Sequence, residues 1–144
     1  MTRLPSASDF NIHNSLDEIR ACEHFLGKTI AEAERLLAEA PHYYDEDFIH
    51  MGPKAFDFYM QAAINCVKVA TDDDVIRAMR AAISTRFEIN DLTLGTERVL
   101  EMINYIVEHF DQFGPDAQDT FFLDLKAAYV QLGERIRAQS SVLS

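Results

Sequence analysis

The sequence contains few of the residues that mark several common protein classes. It has no tryptophan, two cysteines, five glycines and four prolines in 144 residues. So few glycines and prolines exclude collagen-like and low-complexity chains. Two cysteines without a Cys-x-x-Cys pair exclude a disulfide framework and a cysteine-based metal site. Because Cys22 and Cys66 each fall on a predicted apolar helix stripe, we expect two inert thiols and a reducing, cytoplasmic location.

Basic side chains are also scarce. Lys and Arg number 13 against 24 Asp and Glu, a net charge of −11. A nucleic-acid binder needs a local basic patch. The best candidate, Arg77, Arg80 and Arg86, follows a run of three aspartates at 72–74 and is typical of a solvated helix face. The charge therefore predicts no nucleic-acid partner and favours a basic protein partner.

Long hydrophobic runs are absent as well. The longest strongly apolar stretch, residues 62–70, is interrupted by Asn65 and Lys68 and is much shorter than the roughly 20 residues of a membrane span. Residues 1–13 lack the apolar core of a signal peptide. We expect no membrane association.

Helical patterns fill most of the remaining sequence, in which 48% of residues are hydrophobic. Capping boxes at Ser15–Glu18 and Thr29–Glu32 predict two helix starts, and Thr96 is predicted to cap a third. No segment shows convincing strand alternation. The sequence predicts an all-α, single-domain helical bundle of about six helices over residues 14–144, preceded by a flexible N-terminal arm at 1–13.

Two apolar faces define the expected core. Residues 54–70 are apolar on most sides, which is typical of a buried central helix. In the first predicted helix, Leu16, Ile19, Cys22 and Leu26 recur at helical spacing beside Phe25, and we expect this stripe to face inward.

The densest polar cluster lies at residues 42–50 and contains His42, Glu46, Asp47 and His50. Residues three or four apart share a helix face, and imidazole with carboxylate can bind a metal. These four are therefore candidate ligand-binding residues. The spacing is not His-Glu-x-x-His, however, and no matching Glu-x-x-His occurs elsewhere.

We interpret residues 42–50 instead as a structural elbow, because Pro41 and Gly52-Pro53 break the chain on both sides. Tyr43, Phe48 and Met51 are expected to pack the bend and leave the charged side chains outside. This interpretation assigns no metal, no cofactor and no catalytic residue.

Two further histidines, His24 and His109, directly follow Glu23 and Glu108. Adjacent helical residues do not face each other, so neither pair forms a dyad. The sequence also has no glycine-rich phosphate loop and no Gly-x-Ser-x-Gly nucleophile turn.

Residues 48–62 resemble the signature of a family of small bacterial all-helical proteins of unknown function. In that family a small residue precedes Pro-x-Ala-Phe-x-Tyr-Tyr-Leu-Pro-Ala. Here Pro53, Ala55, Phe56, Tyr59 and Ala62 match, while a phenylalanine, a methionine and a glutamine replace the remaining positions. The resemblance implies an all-α cytoplasmic bacterial protein and implies no activity.

Two classes of function follow from these observations. The first is a non-enzymatic acidic interaction protein that binds a basic partner, as immunity or antitoxin-type proteins do. It leads because no set of residues meets the geometric requirements of catalysis. The alternative is a small-molecule- or metal-binding enzyme that uses the 42–50 cluster. A pocket lined by His42, Glu46 and His50 would favour the enzyme, whereas an acidic face or an exposed apolar patch would favour the interaction protein.

Overall fold

The computed structural model describes the backbone of residues 3–89, 91–92, 94–114 and 120–143, and the side chains of these except 120–122 and 140–143. Within these residues the secondary structure is entirely helical, which confirms the predicted all-α class. The helices are α1 (Ala7–Phe10), α2 (Leu16–Phe25), α3 (Ile30–Glu39), α4 (Pro41–His50), α5 (Pro53–Val69), α6 (Asp74–Glu88), α7 (Thr96–Glu108), a 3₁₀ helix (Phe110–Phe113) and α8 (Thr120–Leu143).

Helix α5 is the centre of the bundle, as its apolar composition predicts. It packs against α1, α3, α6 and α7, and nine of its 17 side chains are buried. Phe56, Tyr59, Ala63 and Val67 are each at most 1% exposed. Proline at the first position of α5 starts the helix without the loss of a hydrogen bond, because that N–H has no partner inside a helix.

Two of the three predicted helix caps are confirmed. Ser15 accepts a hydrogen bond from the backbone of Glu18, and Thr29 accepts one from the backbone of Glu32. The third prediction is wrong, since Gly95 is the N-cap of α7 and the Thr96 hydroxyl instead donates to the Leu92 carbonyl at 2.7 Å. A side chain at Gly95 would collide with the ring of Phe56, so this position requires glycine.

Within the predicted N-terminal arm, residues 6–10 are ordered into a helical turn. These residues form a capped helical turn whose Phe10 is fully buried against the ring of Tyr59. The N–H of Gly52 donates to the Phe10 carbonyl at 2.9 Å, and a side chain at Gly52 would collide with the carbonyl of Asp9. One buried aromatic anchors a segment whose other side chains are small or polar.

The face that α2 turns inward differs from the expected one. Glu18, Ala21 and Phe25 are buried, whereas Leu16 is 76% exposed and Leu26 is 44% exposed. The carboxylate of Glu18 accepts hydrogen bonds from the backbone of Ile12, His13 and Ser15. Because Glu18 organises the loop before the helix from the inside, the helix turns the Glu18 side inward and Leu16 outward.

Arg86 overturns the expectation of a solvated arginine face. Its side chain is 0% exposed and lies over the ring of Phe56 at 4.2 Å. One terminal nitrogen donates to three carbonyls at the end of α4, those of Phe48 (3.1 Å), Ile49 (3.0 Å) and Met51 (2.6 Å). Burial lowers the pKa of Arg86 to about 10, partly offset by Asp91, so the guanidinium stays charged at neutral pH.

Three helix ends are capped by side chains that are distant in sequence. Arg86 caps α4, as described above. The Gln112 amide donates to the carbonyls of Val67 (3.0 Å) and Ala70 (2.9 Å) at the end of α5. The Tyr59 hydroxyl lies 2.8 Å from the Phe25 and Lys28 carbonyls, just after α2. Carbonyls that no longer have a partner within their own helix are satisfied by the tertiary structure.

We predict that Arg86→Met lowers the free energy of unfolding by about 3–5 kcal/mol, because it leaves several buried carbonyls without a donor. Arg86→Lys should not restore stability, since one ammonium cannot reach both the α4 carbonyls and Asp91. Arg80→Met, on the exposed face of the same helix, is the control and should change stability by less than about 0.5 kcal/mol. Reversible urea unfolding measures all three. Equal losses for the variants at 86 and 80 would contradict the capping function of Arg86.

A second prediction concerns acid stability. Burial alone raises the pKa of Glu18, but hydrogen bonds from Ser15, His13 and Ile12 outweigh it and hold the pKa below its ordinary value. The stabilisation by ionised Glu18 is therefore complete above the unfolded pKa near 4.5 and is lost as the pH falls through the lower folded pKa.

Glu18→Gln should reduce the free energy of unfolding at neutral pH by roughly 1–3 kcal/mol and flatten its fall in acid. The equivalent change in the exposed capping box of α3, Glu32→Gln, should cost less. Chemical denaturation at a series of pH values tests both variants, and an unchanged acid profile in Glu18→Gln would contradict the assignment.

Candidate functional site

The four residues predicted from the 42–50 cluster do not converge. His42, Glu46 and His50 are exposed on the outer face of α4, whereas Asp47 is buried. His42 and His50 are eight residues apart, which separates them by about 12 Å along a helix, too far to ligate one ion. In the described part of the chain, no group of three His, Cys, Asp or Glu residues could hold a metal.

Of the side chains that the elbow interpretation places, two of the three apolar ones are buried as expected, whereas the charged Asp47, expected outside, is buried too. Phe48 and Met51 are 0% and 1% exposed, but Tyr43 is 58% exposed. Tyr44 takes its place and packs edge-on against Phe25 at 5.8 Å. The segment is a helix of ten residues, α4, because Pro41 serves as its first residue and starts it.

The structure brings Asp47 together with His24, a pairing that sequence reasoning missed. The Asp47 side chain, 5% exposed, lies 2.6 Å from Nδ1 of His24, which is 23% exposed. The two residues lie on the packed helices α4 and α2. Each helix contributes one group of the pair, and the burial of Asp47 protects the hydrogen bond from water.

Aromatic rings surround the exposed side of His24. The rings of Tyr43 and Tyr44 both lie 5.4 Å from the imidazole. The Tyr43 hydroxyl is 3.5 Å from Nε2 of His24. The cluster of His24, Asp47, Tyr43 and Tyr44, here called the His24 cluster, thus has a buried carboxylate behind the imidazole and a phenol at its outer edge.

The electrostatics of the cluster favour one form of the imidazole. Burial raises the pKa of Asp47, while the hydrogen bond and charge of His24 and the charge of Arg20 oppose the shift. An ionised Asp47 accepts the Nδ1 proton of His24, which leaves the lone pair of a neutral ring on Nε2. The arrangement can accept a proton at the protein surface.

The pairing was not visible from spacing because it joins residues 23 positions apart on two helices. In the sequence, the carboxylate next to His24 is that of Glu23, and adjacent helical residues do not face each other. One signal was present: Asp47 lies among Tyr44, Phe48 and Met51 at the inward spacing of α4. A carboxylate on an apolar face requires a partner, and a histidine from a neighbouring helix supplies it.

A second candidate site is a groove between α3 and the junction of α5 and α6, here called the α3–α6 groove. It encloses about 450 Å³. Its apolar wall includes Val69, which is 78% exposed. The lining residues are Ala31, Glu34, Arg35, Ala38, Pro41, Cys66, Val69, Ala70, Thr71, Asp72, Asp74 and Val75.

The α3–α6 groove carries three carboxylates, those of Glu34, Asp72 and Asp74, and one guanidinium, that of Arg35. Glu34 is held in place, since its Oε2 accepts a hydrogen bond from Asn65 at 3.0 Å. Asp72 and Asp74 have no ion-pair partner among the described residues. The groove therefore presents negative charge beside apolar surface.

Cys66 lies at the base of this groove and is not a nucleophile. Burial, together with the charge of Glu34, raises the pKa of the thiol to about 11. The Cys66 thiol donates to the Glu34 carbonyl at a sulfur–oxygen distance of 3.4 Å. This agrees with the inert thiol predicted from the sequence.

Comparison of the chain with protein-family models, curated proteins and solved structures gives no match. The resemblance of residues 48–62 to a family of small bacterial helical proteins therefore stays a prediction. None of the described helices combines the length and the hydrophobicity that a membrane span requires.

The His24 cluster makes a spectroscopic prediction. In alkaline solution, ¹⁵N NMR should show His24 with a protonated Nδ1 and an unprotonated Nε2, because Asp47 accepts the Nδ1 proton. Asp47→Asn removes the charged acceptor and should shift His24 toward the Nε2-protonated form. His50, exposed and 3.8 Å from Asp17, is the internal control and should not respond. An Nε2-protonated His24 in the unchanged protein would contradict the pairing.

Proposed function

We propose that the protein binds a basic, partly apolar segment of another protein in the α3–α6 groove. The observation that carries the proposal is the combination of Glu34, Asp72 and Asp74 with the exposed Val69 in one concave surface. Lys and Arg side chains combine a cationic head with an apolar stem. The cationic head can pair with the carboxylates, and the apolar stem can pack against Val69.

Part of this arrangement has a local explanation. Asp72 accepts a hydrogen bond from the N–H of Asp74 at 3.0 Å, and acidic residues at the start of α6 favour the helix dipole. This explanation does not extend to Glu34, which projects from α3, or to the exposed side chain of Val69. The convergence of charge and apolar surface from two separate elements is what supports binding.

The wider charge of the chain supports the same proposal. A net charge of −11 attracts a basic partner at long range and repels acidic competitors. We further propose that binding takes place in the cytoplasm, where the free thiols Cys22 and Cys66 remain reduced.

The proposal predicts selective loss of affinity for a cationic amphipathic probe. A fluorescently labelled helical peptide of leucine and lysine serves as the probe, and anisotropy measures its dissociation constant. Asp72→Asn with Asp74→Asn should weaken binding about tenfold, since two exposed ion pairs contribute roughly 0.5–1 kcal/mol each. Val69→Ser should also weaken binding without any change of charge.

The matched control is Glu97→Gln with Glu101→Gln, which removes the same charge from exposed positions of α7. It should leave the affinity within about twofold, because neither glutamate lines the groove and salt screens exposed charges outside the contact. If both charge variants weaken binding equally, the peptide is attracted by the general negative charge of the protein and does not bind specifically in the α3–α6 groove. Absence of binding at low salt would overturn the proposal.

A second candidate function rests on the His24 cluster. We propose that Nε2 of His24, oriented by the buried Asp47 at 2.6 Å, acts as a general base toward water attacking a small ester. The support is the arrangement of carboxylate, imidazole and partly exposed edge, which is the orientation that general-base catalysis uses. This function needs no metal ligand from His42, Glu46 or His50.

Hydrolysis of p-nitrophenyl acetate tests this second function. His24→Gln should abolish most of the protein-dependent rate, and Asp47→Asn should reduce it, since Asp47 sets the position of the basic nitrogen. His50→Gln controls for the unselective reactivity of exposed imidazoles. If His24→Gln and His50→Gln reduce the rate equally, the general-base function is wrong.

A further inference from the structure

A second apolar surface lies on the outer side of α2, away from the α3–α6 groove. We call Leu16, Ile19, Cys22 and Leu26 the α2 stripe. Leu16 is 76% exposed and Leu26 is 44% exposed, while Ile19 and Cys22 are partly exposed. Three of these residues, with Ala7, Ser8, Asn11 and Glu23, line a groove of about 460 Å³ between α1 and α2.

The charges beside the α2 stripe differ from those of the α3–α6 groove. Arg20 follows Leu16 by four residues and Glu23 follows Ile19 by four, so each borders the stripe on the helix surface. Within the described chain, neither Arg20 nor Glu23 forms an ion pair. One positive and one negative charge make this border locally neutral in a strongly acidic protein.

The balanced charge beside the α2 stripe indicates what kind of molecule it binds. A basic partner gains no electrostatic advantage at the α2 stripe, whereas a second copy of this chain can approach it without local repulsion. Each copy also brings the charge that the other lacks, because Arg20 of one copy can meet Glu23 of the other. A two-fold axis makes any such pairing occur twice.

We infer that the α2 stripe is the contact surface of a reversible, antiparallel dimer of this chain. With the two-fold axis between Ala21 and Cys22, Leu16 of one copy lies within about one residue of the level of Leu26 of the other. Arg20 then faces Glu23 of the other copy, and the two Cys22 side chains lie close to the axis. The inference does not depend on the proposed function, since no stripe residue lines the α3–α6 groove.

The dimer forms at high protein concentration. Helix α2 has 10 residues and a length of about 15 Å. The surface area that two such helices bury against each other is therefore smaller than the roughly 1,200–2,000 Å² of a typical stable interface. The stripe in the separate monomer is small enough to leave it soluble.

Sedimentation velocity over about 10 μM to 1 mM tests the inference, since mass action makes a weak dimer concentration-dependent. The unchanged protein should sediment faster at the upper end of this range. Leu16→Glu with Leu26→Glu should remain monomeric throughout. Leu94→Glu, which alters a leucine 53% exposed on the α6–α7 connection, should dimerise like the unchanged protein.

A charge exchange tests the antiparallel arrangement without altering the apolar residues. Arg20→Glu should weaken the dimer about tenfold, because it places two glutamates opposite each other at both symmetric contacts. Arg20→Glu combined with Glu23→Arg should restore the affinity. Circular dichroism confirms that each variant is folded. Failure of the double exchange to restore association would overturn the arrangement.

Thiol cross-linking adds a position-specific measurement. A short bismaleimide should join two copies through Cys22, because Cys66 is 6% exposed. Cys22→Ala should abolish the cross-link, and the Leu16→Glu, Leu26→Glu variant should reduce it strongly. Sedimentation independent of concentration, or a dimer that both stripe substitutions leave intact, overturns the inference. Binding of the cationic peptide at the stripe would also overturn it, since a basic segment would then be the occupant.

Discussion

The buried guanidinium of Arg86 is the interaction on which the arrangement of the helices depends. It joins α6 to the end of α4 through three carbonyls and to α5 through the ring of Phe56. It also binds the loop that follows α6, through Asp91 at 2.9 Å. A planar cation with donors in several directions is suited to this position. The bend between α4 and α5 therefore has a fixed geometry, and α4 is held where Asp47 meets His24.

Local chemistry accounts for the parts of the fold that the sequence predicts correctly. The central helix α5 is recognisable because apolar residues surround it, and the Ser15 and Thr29 caps are recognisable because each box closes within four residues. Capping and apolar periodicity act over one or two turns, so one helix contains the whole signal.

The parts that could not be predicted depend on contacts between distant segments. Arg86 resembles a surface residue in the sequence because the α4 carbonyls that it contacts lie 35–38 residues away in the chain. The pairing of His24 is hidden in the sequence for the same reason, since Asp47 belongs to another helix. Of the four predicted site residues, only Asp47 joins the His24 cluster, because the inward face of α4 is set by packing against α2 and α6.

The two exposed apolar surfaces differ in the charge that accompanies them. The α3–α6 groove combines apolar residues with three carboxylates, whereas Arg20 and Glu23 balance each other beside the α2 stripe. Charge of one sign discriminates between foreign partners, and balanced charge suits self-association. A dimer through α2 would leave the α3–α6 groove of each copy open. Two basic segments linked in one partner could then bind both copies at once, with an avidity greater than the affinity of either segment alone.

The distant capping of α2, α4 and α5 has a consequence for the way the protein unfolds. Tyr59, Arg86 and Gln112 reach carbonyls at these helix ends only in the folded structure, in addition to local hydrogen bonds such as those from Lys28 to Phe25 and from Ala70 to Val67. A fragment that ends after α4 or α5 would lack the tertiary donor at its final turn, Arg86 or Gln112. The helices accordingly lose protection together, and amide hydrogen exchange at these ends should follow the opening of the whole bundle rather than local fraying.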